Sequence, residues 1–273
     1  MTVVAIFGAT ASGKSAVALE LAERLGGEIV SADAMQLYAG LPILSNQPSA
    51  DDRRRVPHHL VGIWPLAEEG DVARYAAAAH AAIDDVIARG GTAVVAGGTG
   101  LYLRAALADL ALPPQPPPGL RDQLAAAYDA DPAAAFARLV VVDAGAAARI
   151  HPNDRRRVVR ALELAELGAS LAPYGDDRLW TADYRHPTRV IGLVVDRAEL
   201  HRRIAERTAA MFAAGVVEEV RAVLDGTTDE ATACRRLVER TRQYARRQEI
   251  WMRRIPGIEL LDPAAAARAP GPG

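Results

Sequence analysis

The sequence has little that would suit an extracellular or membrane protein. Its one cysteine, Cys234, excludes a framework of disulfide bonds and favours a reducing compartment. No apolar run approaches the roughly 20 residues that a membrane-spanning helix needs. The N-terminus lacks the basic region that precedes the apolar run of a signal peptide. We therefore predict a soluble, cytoplasmic protein with no membrane partner, and we expect a monomer.

Lysine is almost absent as well. Lys14 is the only lysine among 273 residues, and all other basic residues are arginines. The formal net charge of -2 excludes a globally basic protein but leaves local basic patches open. An ammonium group is not interchangeable with a guanidinium where a flexible point charge must reach phosphate oxygens. The lone lysine therefore indicates a specific chemical need at its position.

That lysine belongs to a glycine-rich segment between an apolar run and an amphipathic stretch. The segment fits G-x-x-x-x-G-K-[ST] and consists of Gly8, Ala9, Thr10, Ala11, Ser12, Gly13, Lys14 and Ser15. Its glycines let the backbone curl so that successive N–H groups point at one anion, and the helix that follows adds partial positive charge. Lys14 brings a mobile cation, and the Ser15 hydroxyl can bind Mg²⁺. The segment predicts a loop that holds phosphate or diphosphate.

Apolar runs of strand type alternate with helical stretches up to about residue 112. The alternation predicts an α/β fold with a parallel, P-loop-type sheet flanked by helices, and ligands at the carboxyl ends of the strands. Asp33 and Thr99 both follow strand-type runs, so we expect them beside the phosphate loop. An aspartate at such a place is often only a turn former or helix cap. Beside a bound diphosphate it can also act as a general base for a nucleophile that attacks carbon.

A proline-rich segment, residues 112–119, divides the chain and is typical of a stiff connector. Helical patterns dominate from residue 120 to about 170, and a strand-type run returns at 189–195. This order predicts an all-helical subdomain inserted into the sheet domain. The expected parts are a catalytic core at 1–112, a helical insertion at 119–187, a return to the core at 188–262, and a disordered tail at 263–273. Helices are expected at 197–214, 216–224 and about 230–254.

Arginines concentrate in two places. One cluster is formed by Arg155, Arg156, Arg157 and Arg160, and residues 235–254 carry eight arginines against two glutamates. Such runs are commonly solvated helix faces. Two of them on a chain of net charge -2 raise the case for a polyanionic partner such as nucleic acid.

Six motifs, in one order along the chain, resemble those of bacterial tRNA dimethylallyltransferases, also called tRNA isopentenyltransferases. They lie at residues 8–15, 31–38, 56–60, 97–102, 149–154 with 157–163, and 241–248. The match covers nearly the whole chain and is far more specific than a phosphate loop alone. It implies transfer of a dimethylallyl group from its diphosphate to the exocyclic N6 of the adenosine just 3′ of the tRNA anticodon.

The resemblance also implies roles for single residues. The phosphate loop would hold dimethylallyl diphosphate, with Lys14 and, through Mg²⁺, Ser15 stabilising the departing diphosphate. Asp33 would accept the N6 proton, and Thr99 belongs to the catalytic set with Asp33 and Lys14. The adenosine would be flipped out of its loop, and the helical insertion would contact the anticodon arm. Residues expected to contact tRNA are Asp33, Ala34, Met35, Gln36, Thr99, Arg121, Arg156, Arg157, Val158, Val159 and Arg160.

Two segments depart from the family pattern. Residues 39–48 lack two lysines and one acidic residue that family members usually have there. Residues 225–237 replace a longer stretch that contacts tRNA in the family. The catalytic crevice is therefore expected to be intact while part of the tRNA-binding surface is missing. Such a member binds tRNA with fewer contacts, prefers another acceptor, or is impaired.

Three alternatives stay open. A prenyltransferase of free adenine nucleotides would fit the shortened segment, but the two arginine clusters and the helical insertion count against it. A small-molecule P-loop kinase would need a second metal-binding acid near residues 96–100, where the chain has Gly-Gly-Thr-Gly after Ala96. A non-catalytic RNA-binding protein is the third alternative.

Overall fold

The computed structural model describes residues 2–68, 70–110, 112, 116–171, 181–222 and 245–270. The chain forms two compact units, Met1–Leu110 with Leu179–Gly273, and Ala111–Arg178. The first unit contains a sheet, and the second is helical in the ranges that are described. Within these ranges, no helix combines the length and the apolar character needed to cross a membrane.

The first unit is built on a sheet of parallel strands. They are β1 (Val3–Gly8), β2 (Glu28–Ser31), β3 (His58–His59), β4 (Ala93–Gly97), β5 (Thr188–Leu193) and β6 (Glu259–Leu261), in the order β3-β2-β4-β1-β5-β6. Every residue of β1 is buried, as expected for a central parallel strand covered on both faces. The predicted α/β fold class is confirmed. The short edge strand β6 was not predicted from the sequence.

Four helices precede the insertion: α1 (Lys14–Leu25), α2 (Ala50–Arg55), α3 (Val72–Ala88) and α4 (Gly100–Leu107). α1 follows β1 through the phosphate loop, and its buried face packs in the same core as Ile6 and Val94 of the sheet. Gly13, at the N-cap of α1, has φ +93°, a left-handed conformation that favours glycine. The sequence thus places the start of α1 directly at the carboxyl end of the central strand.

The second unit contains α5 (Leu120–Ala130), α6 (Pro132–Val142), α7 (Ala144–Ala147) and α8 (Arg155–Glu166). Asp131 and Asp154 cap α6 and α8 by accepting hydrogen bonds from Ala134 N and Arg157 N. Apolar side chains of α5, α6 and α8 form a core of their own. This unit therefore has an apolar interior independent of the sheet.

After β5 the chain forms α9 (Arg197–Ala213) and α10 (Val216–Arg221), close to the predicted bounds. Residues 245–252 are helical and are labelled α11. The rest of the predicted helix from about 230, and the shortened segment at 225–237, lie outside the described residues.

The prediction of a disordered tail is wrong for residues 263–270. Pro263–Ala267 form α12. Its N-cap residue is Asp262, whose side chain accepts a hydrogen bond from Ala265 N. Ala266 and Ala269 are buried in the same core as α1. The disordered tail was predicted because residues 263–270 contain mostly alanine and proline and no large apolar side chain. The small alanine side chains instead allow α12 to pack closely against α1. Residues 271–273 lie outside the described ranges.

Candidate active site

The phosphate loop is tightly curled between β1 and α1. Ala11 and Gly13 both have positive φ, +63° and +93°, and Ser12 N donates to Ala9 O at 3.1 Å. The Ser12 side chain is buried, and so is most of Thr10. Left-handed residues alternating with right-handed ones form concave backbone sites for anions. The loop has the backbone conformation that its sequence predicts.

A cavity of about 300 Å³ lies beside the loop. Its walls combine two cations and one carboxylate with apolar side chains from three separate segments. The lining residues are Thr10, Lys14, Ser15, Asp33, Met35, Gln36, Leu44, Ser45, Asn46, Ile204, Arg207, Thr208, Met211 and Gln248. The predicted site residues Lys14, Ser15, Asp33, Met35 and Gln36 thus meet at one place.

Lys14 and Arg207 are the cations of this cavity. The ammonium of Lys14 donates to Ala9 O at 2.8 Å, and Arg207 Nη1 donates to Thr10 Oγ1 at 2.8 Å. Burial lowers the pKa of Lys14 to about 8, a shift that Asp33 opposes and Arg207 reinforces. Burial likewise lowers the pKa of Arg207, and Asp33 again opposes the shift. Two cations against one carboxylate leave the cavity with an excess of positive charge, which suits an anionic ligand.

Asp33 begins a tight turn just after β2. Its Oδ1 accepts a hydrogen bond from Met35 N at 2.9 Å, and its own N–H donates to Ser31 Oγ at 3.4 Å. Among the described residues, nothing donates a hydrogen bond to Oδ2. Gln36 continues the turn, accepting from the Ser31 hydroxyl at 2.8 Å and donating to Asn46 O at 2.7 Å. Asp33 can therefore both form the turn, through Oδ1, and accept a proton, through Oδ2.

Gln248 of α11 connects the phosphate loop to the end of β4. Its Oε1 accepts from Thr10 N at 2.6 Å, its Nε2 donates to Gly98 O at 2.8 Å, and the side chain is buried. A Cβ atom at position 98 would collide with the Gln248 amide, which explains the glycine there. Gln248 thus fixes the loop from a helix far away in sequence.

Thr99 lies at the same edge of the sheet, at the N-cap of α4. It is not among the residues that line the 300 Å³ cavity, and neither is Ala34. The structure thus places both next to the site without bringing them into its wall.

The remaining predicted contacts belong to the helical unit. Arg121 and Arg160 both pair with Glu163, at 2.7 and 2.9 Å, and the Glu163 side chain is 1% exposed. Burial works to raise the pKa of Glu163, but the two guanidinium groups outweigh it and hold the pKa below its usual range. Arg156 and Arg157 are exposed.

Val158 and Val159 require a correction. Their side chains are buried in the core of the helical unit, so they have no apolar surface to offer a macromolecule. They follow three arginines on one helix, and the 3.6-residue period turns them to the inside. The expectation of tRNA contacts from this segment therefore stays with its arginines.

Family models match the chain in two parts. One described as IPP transferase matches residues 36–236, and one described as Isopentenyl transferase matches residues 1–57. The chain belongs to the IPP transferase family. Proteins of this kind are transferases, and the fold and loop described above agree with that assignment.

Two relatives of this chain are both named tRNA dimethylallyltransferase. The tRNA dimethylallyltransferase of Anaeromyxobacter dehalogenans (strain 2CP-C) is 44% identical over 296 residues, covering 98% of each chain. That of Mycolicibacterium smegmatis is 40% identical over 96% of this chain and 94% of its own. An alignment of 296 positions is longer than the 273 residues of this chain, so the Anaeromyxobacter relative has residues without a counterpart here.

Solved structures resemble this chain over most of its length. The full-length tRNA isopentenylpyrophosphate transferase of Bacillus halodurans matches with a TM-score of 0.67 and 31% identity, covering 96% of this chain and 90% of that one. A eukaryotic dimethylallyltransferase acting on tRNA matches with a TM-score of 0.75 and 25% identity, covering 96% and 73%.

The sequence did not reveal two residues of the site. Arg207 is one of several arginines on α9, and nothing local distinguishes it from its neighbours. Gln248 ends one of the six motifs, which marked it without giving it a role. Both were assigned by contacts with Thr10.

Proposed function

We propose that this IPP transferase transfers a dimethylallyl group from dimethylallyl diphosphate to N6 of the adenosine 3′-adjacent to the anticodon in tRNA. The observation that carries the proposal is the composition of the cavity. Lys14 and Arg207 supply positive charge for a diphosphate, Leu44, Ile204 and Met211 supply apolar surface for an allylic group, and Asp33 supplies a proton acceptor.

The proposed reaction joins nitrogen to carbon. The N6 lone pair attacks C1 of the allylic group, the new N–C bond forms, and the C1–O bond breaks with its electron pair leaving on the diphosphate. Asp33 accepts the proton that N6 loses. Lys14 and Arg207 stabilise the negative charge that develops on the departing diphosphate.

Magnesium fits the donors at this site. Mg²⁺ commonly binds through one or two protein oxygens while substrate phosphates and water complete its coordination. Ser15 offers a hydroxyl beside Lys14 in the cavity, and the described residues contain no cluster of three or more histidine, cysteine or acidic side chains that would form a full protein cage. Ser15 would hold the ion, which would neutralise charge on the leaving diphosphate.

Support for tRNA as acceptor comes from the relatives and from charge. The relatives are named for tRNA, and exposed Arg156 and Arg157 give the helical unit cations suited to phosphates. A stacked base cannot reach a cavity of this kind, so the adenosine would be flipped out. We also propose a cytoplasmic location, which is consistent with relatives named for tRNA.

The test is transfer of label from radioactive dimethylallyl diphosphate with Mg²⁺. Acceptors are tRNA with an anticodon-adjacent adenosine and, separately, AMP, ADP and ATP. Label in tRNA alone is expected. Label in a free nucleotide would instead make the protein an adenylate isopentenyltransferase, the alternative that the shortened segment at residues 225–237 would fit. Label in neither acceptor contradicts both.

The role of Asp33 has its own variant. Asp33→Asn keeps the size of the side chain but cannot accept the N6 proton, so kcat should fall by about 10²- to 10⁴-fold. Binding of tRNA should persist. Asp51→Asn, on the exposed face of α2, is the control and should retain wild-type turnover. Unchanged turnover in Asp33→Asn would refute the assignment of the base.

A further inference from the structure

The segment 41–47 is held by a side chain from α10. Glu219 Oε1 accepts a hydrogen bond from Ile43 N at 2.7 Å, and Oε2 accepts one from Leu44 N at 2.8 Å. One carboxylate thus binds two consecutive backbone N–H groups. Hydrogen bonds to a charged acceptor are about twice as strong as those between neutral groups. This segment belongs to one of the two regions where the sequence departs from the family pattern.

The segment is a compact turn with little slack. Asn46 N donates to Ile43 O, Gln47 N donates to Pro42 O at 2.9 Å, and Asn46 has φ +53°. Its other end is tied to the Asp33 turn, because Gln36 Nε2 donates to Asn46 O at 2.7 Å. Glu219 supplies the opposing tie, from the side of α10.

These two ties connect segment 41–47 with two other parts of the cavity wall, the Asp33 turn and α9. Leu44 and Asn46 of the segment line the cavity, as do Arg207 and Met211 of α9. α10 follows α9 after a short turn at Gly215, so a bond from α10 to the segment also connects the segment to α9. Glu219 itself is not among the residues that line the cavity. Glu219 can therefore set the distance between segment 41–47 and α9 without contacting a ligand in the cavity.

We propose that Glu219 is a positioning residue that holds segment 41–47 against α9 and thereby fits the cavity to the allylic diphosphate. The inference rests on the proposed function and concerns the same site. Without this tie, the side-chain hydrogen bonds of the described residues that would still hold the segment to its surroundings are those of Gln36 and Gln47. The cavity would then bind the small allylic group less tightly, while Asp33 and the phosphate loop would stay in place.

The test compares variants of neighbouring glutamates on α10. Glu219→Ala removes both hydrogen bonds, and Glu219→Gln keeps one acceptor oxygen. Glu218→Gln is the matched control, since the Glu218 side chain is 71% exposed and pairs only with Arg221 among the described residues. For Glu219→Ala we expect KM for dimethylallyl diphosphate to rise about tenfold, with kcat and KM for tRNA within about twofold of wild type. Glu219→Gln should lie between, and Glu218→Gln should match wild type.

Hydrogen exchange supplies a readout that does not depend on turnover. Amides of residues 41–47 should exchange faster in Glu219→Ala than in Glu218→Gln, while the strands of the sheet exchange as before. Unchanged KM for dimethylallyl diphosphate would overturn the inference, as would a joint change of kcat, both KM values and melting temperature, because Glu219 would then serve the fold alone. If the wild-type protein transfers no label, the proposed function is wrong. The exchange experiment would then still show whether Glu219 holds segment 41–47.

Discussion

At the scale of single residues, the site depends on how three charges share a small space. Lys14, Arg207 and Asp33 influence one another, and burial lowers the pKa of both cations. An anionic ligand between the two cations would relieve their repulsion.

The pKa of Lys14 predicts a pH dependence. Because the pKa is lowered to about 8, the ammonium loses its proton at a lower pH than an ordinary lysine. Only the protonated form attracts the diphosphate, so kcat/KM for dimethylallyl diphosphate should fall about tenfold per pH unit above roughly pH 8. Initial rates at low substrate between pH 7 and 9.5 measure it. Lys14→Arg should be less active, but its kcat/KM should not fall in this pH range. A wild-type kcat/KM that does not change with pH would contradict the role of Lys14 in binding the diphosphate.

Gln248 gives a second prediction for a single side chain. Gln248→Ala leaves the N–H of Thr10 and the C=O of Gly98 without their partner, which costs about 1–3 kcal/mol of stability. A lower melting temperature and a higher KM for dimethylallyl diphosphate should result. Thermal unfolding and steady-state kinetics measure the two effects. Gln123→Ala, at an exposed position of α5, is the control, and equal behaviour of the two variants would show that the contact is unimportant.

At the scale of elements, helices from late in the chain complete the first unit. α9 brings Arg207 to the loop, α11 brings Gln248, and α12 covers α1. Arg24 near the end of α1 donates to the carbonyls of Arg268 and Ala269, which follow α12. The helix that carries the phosphate loop at its start is thus supported by the end of the chain.

α12 can be tested with a pair of alanines. Ala266→Asp would place a charge in the core beside α1, whereas Ala264 is exposed on the same helix. Undocking α12 would expose about three methyl groups, roughly 2 kcal/mol at about 0.8 kcal/mol each. Ala266→Asp should lower the free energy of unfolding by at least that amount, measured by urea denaturation. Ala264→Asp should be nearly neutral, and similar values for the two variants would argue against docking of α12.

At the scale of the whole molecule, a net charge of -2 must be reconciled with a polyanionic substrate. Many arginines are neutralised by nearby acids, as Arg155 is by Asp129 and Arg138 by Glu166. Arg156 and Arg157 are exposed in the helical unit, although Arg157 Nε also lies 3.4 Å from Asp154 Oδ2. Attraction for RNA therefore depends on where the arginines lie and not on their number.

This distribution predicts the salt dependence of tRNA binding. The affinity should fall with rising salt, and Arg156→Ala should reduce the slope of log Kd against log salt by about 1 if Arg156 binds a phosphate. Filter binding between 50 and 300 mM salt measures the slope. Arg138→Ala, in the same unit but already paired with Glu166, should leave it unchanged. Equal slopes for wild type and Arg156→Ala would remove Arg156 from the interface.

The sequence by itself determined the fold class, the phosphate loop and Asp33 at the end of a strand. These features depend on local patterns: apolar runs, the spacing of two glycines and a lysine, and the alternation of strands and helices. Neighbours in sequence constrain each other's backbone, so such patterns survive without knowledge of the rest of the chain. The arginines of α8 were also recognisable, although the burial of Val158 and Val159 between them was not.

Only the tertiary structure decided which distant side chains complete the site. Thr10 meets Gln248 across 238 positions and Arg207 across 197 positions of sequence. Glu219 reaches Ile43 across 176 positions, and α12 packs on α1 from the far end of the chain. None of these contacts has a local signature, because an arginine, a glutamine or an alanine suits a helix surface equally well. Their roles follow from the sheet, which brings the ends of β1, β2 and β4 to one edge where these helices converge.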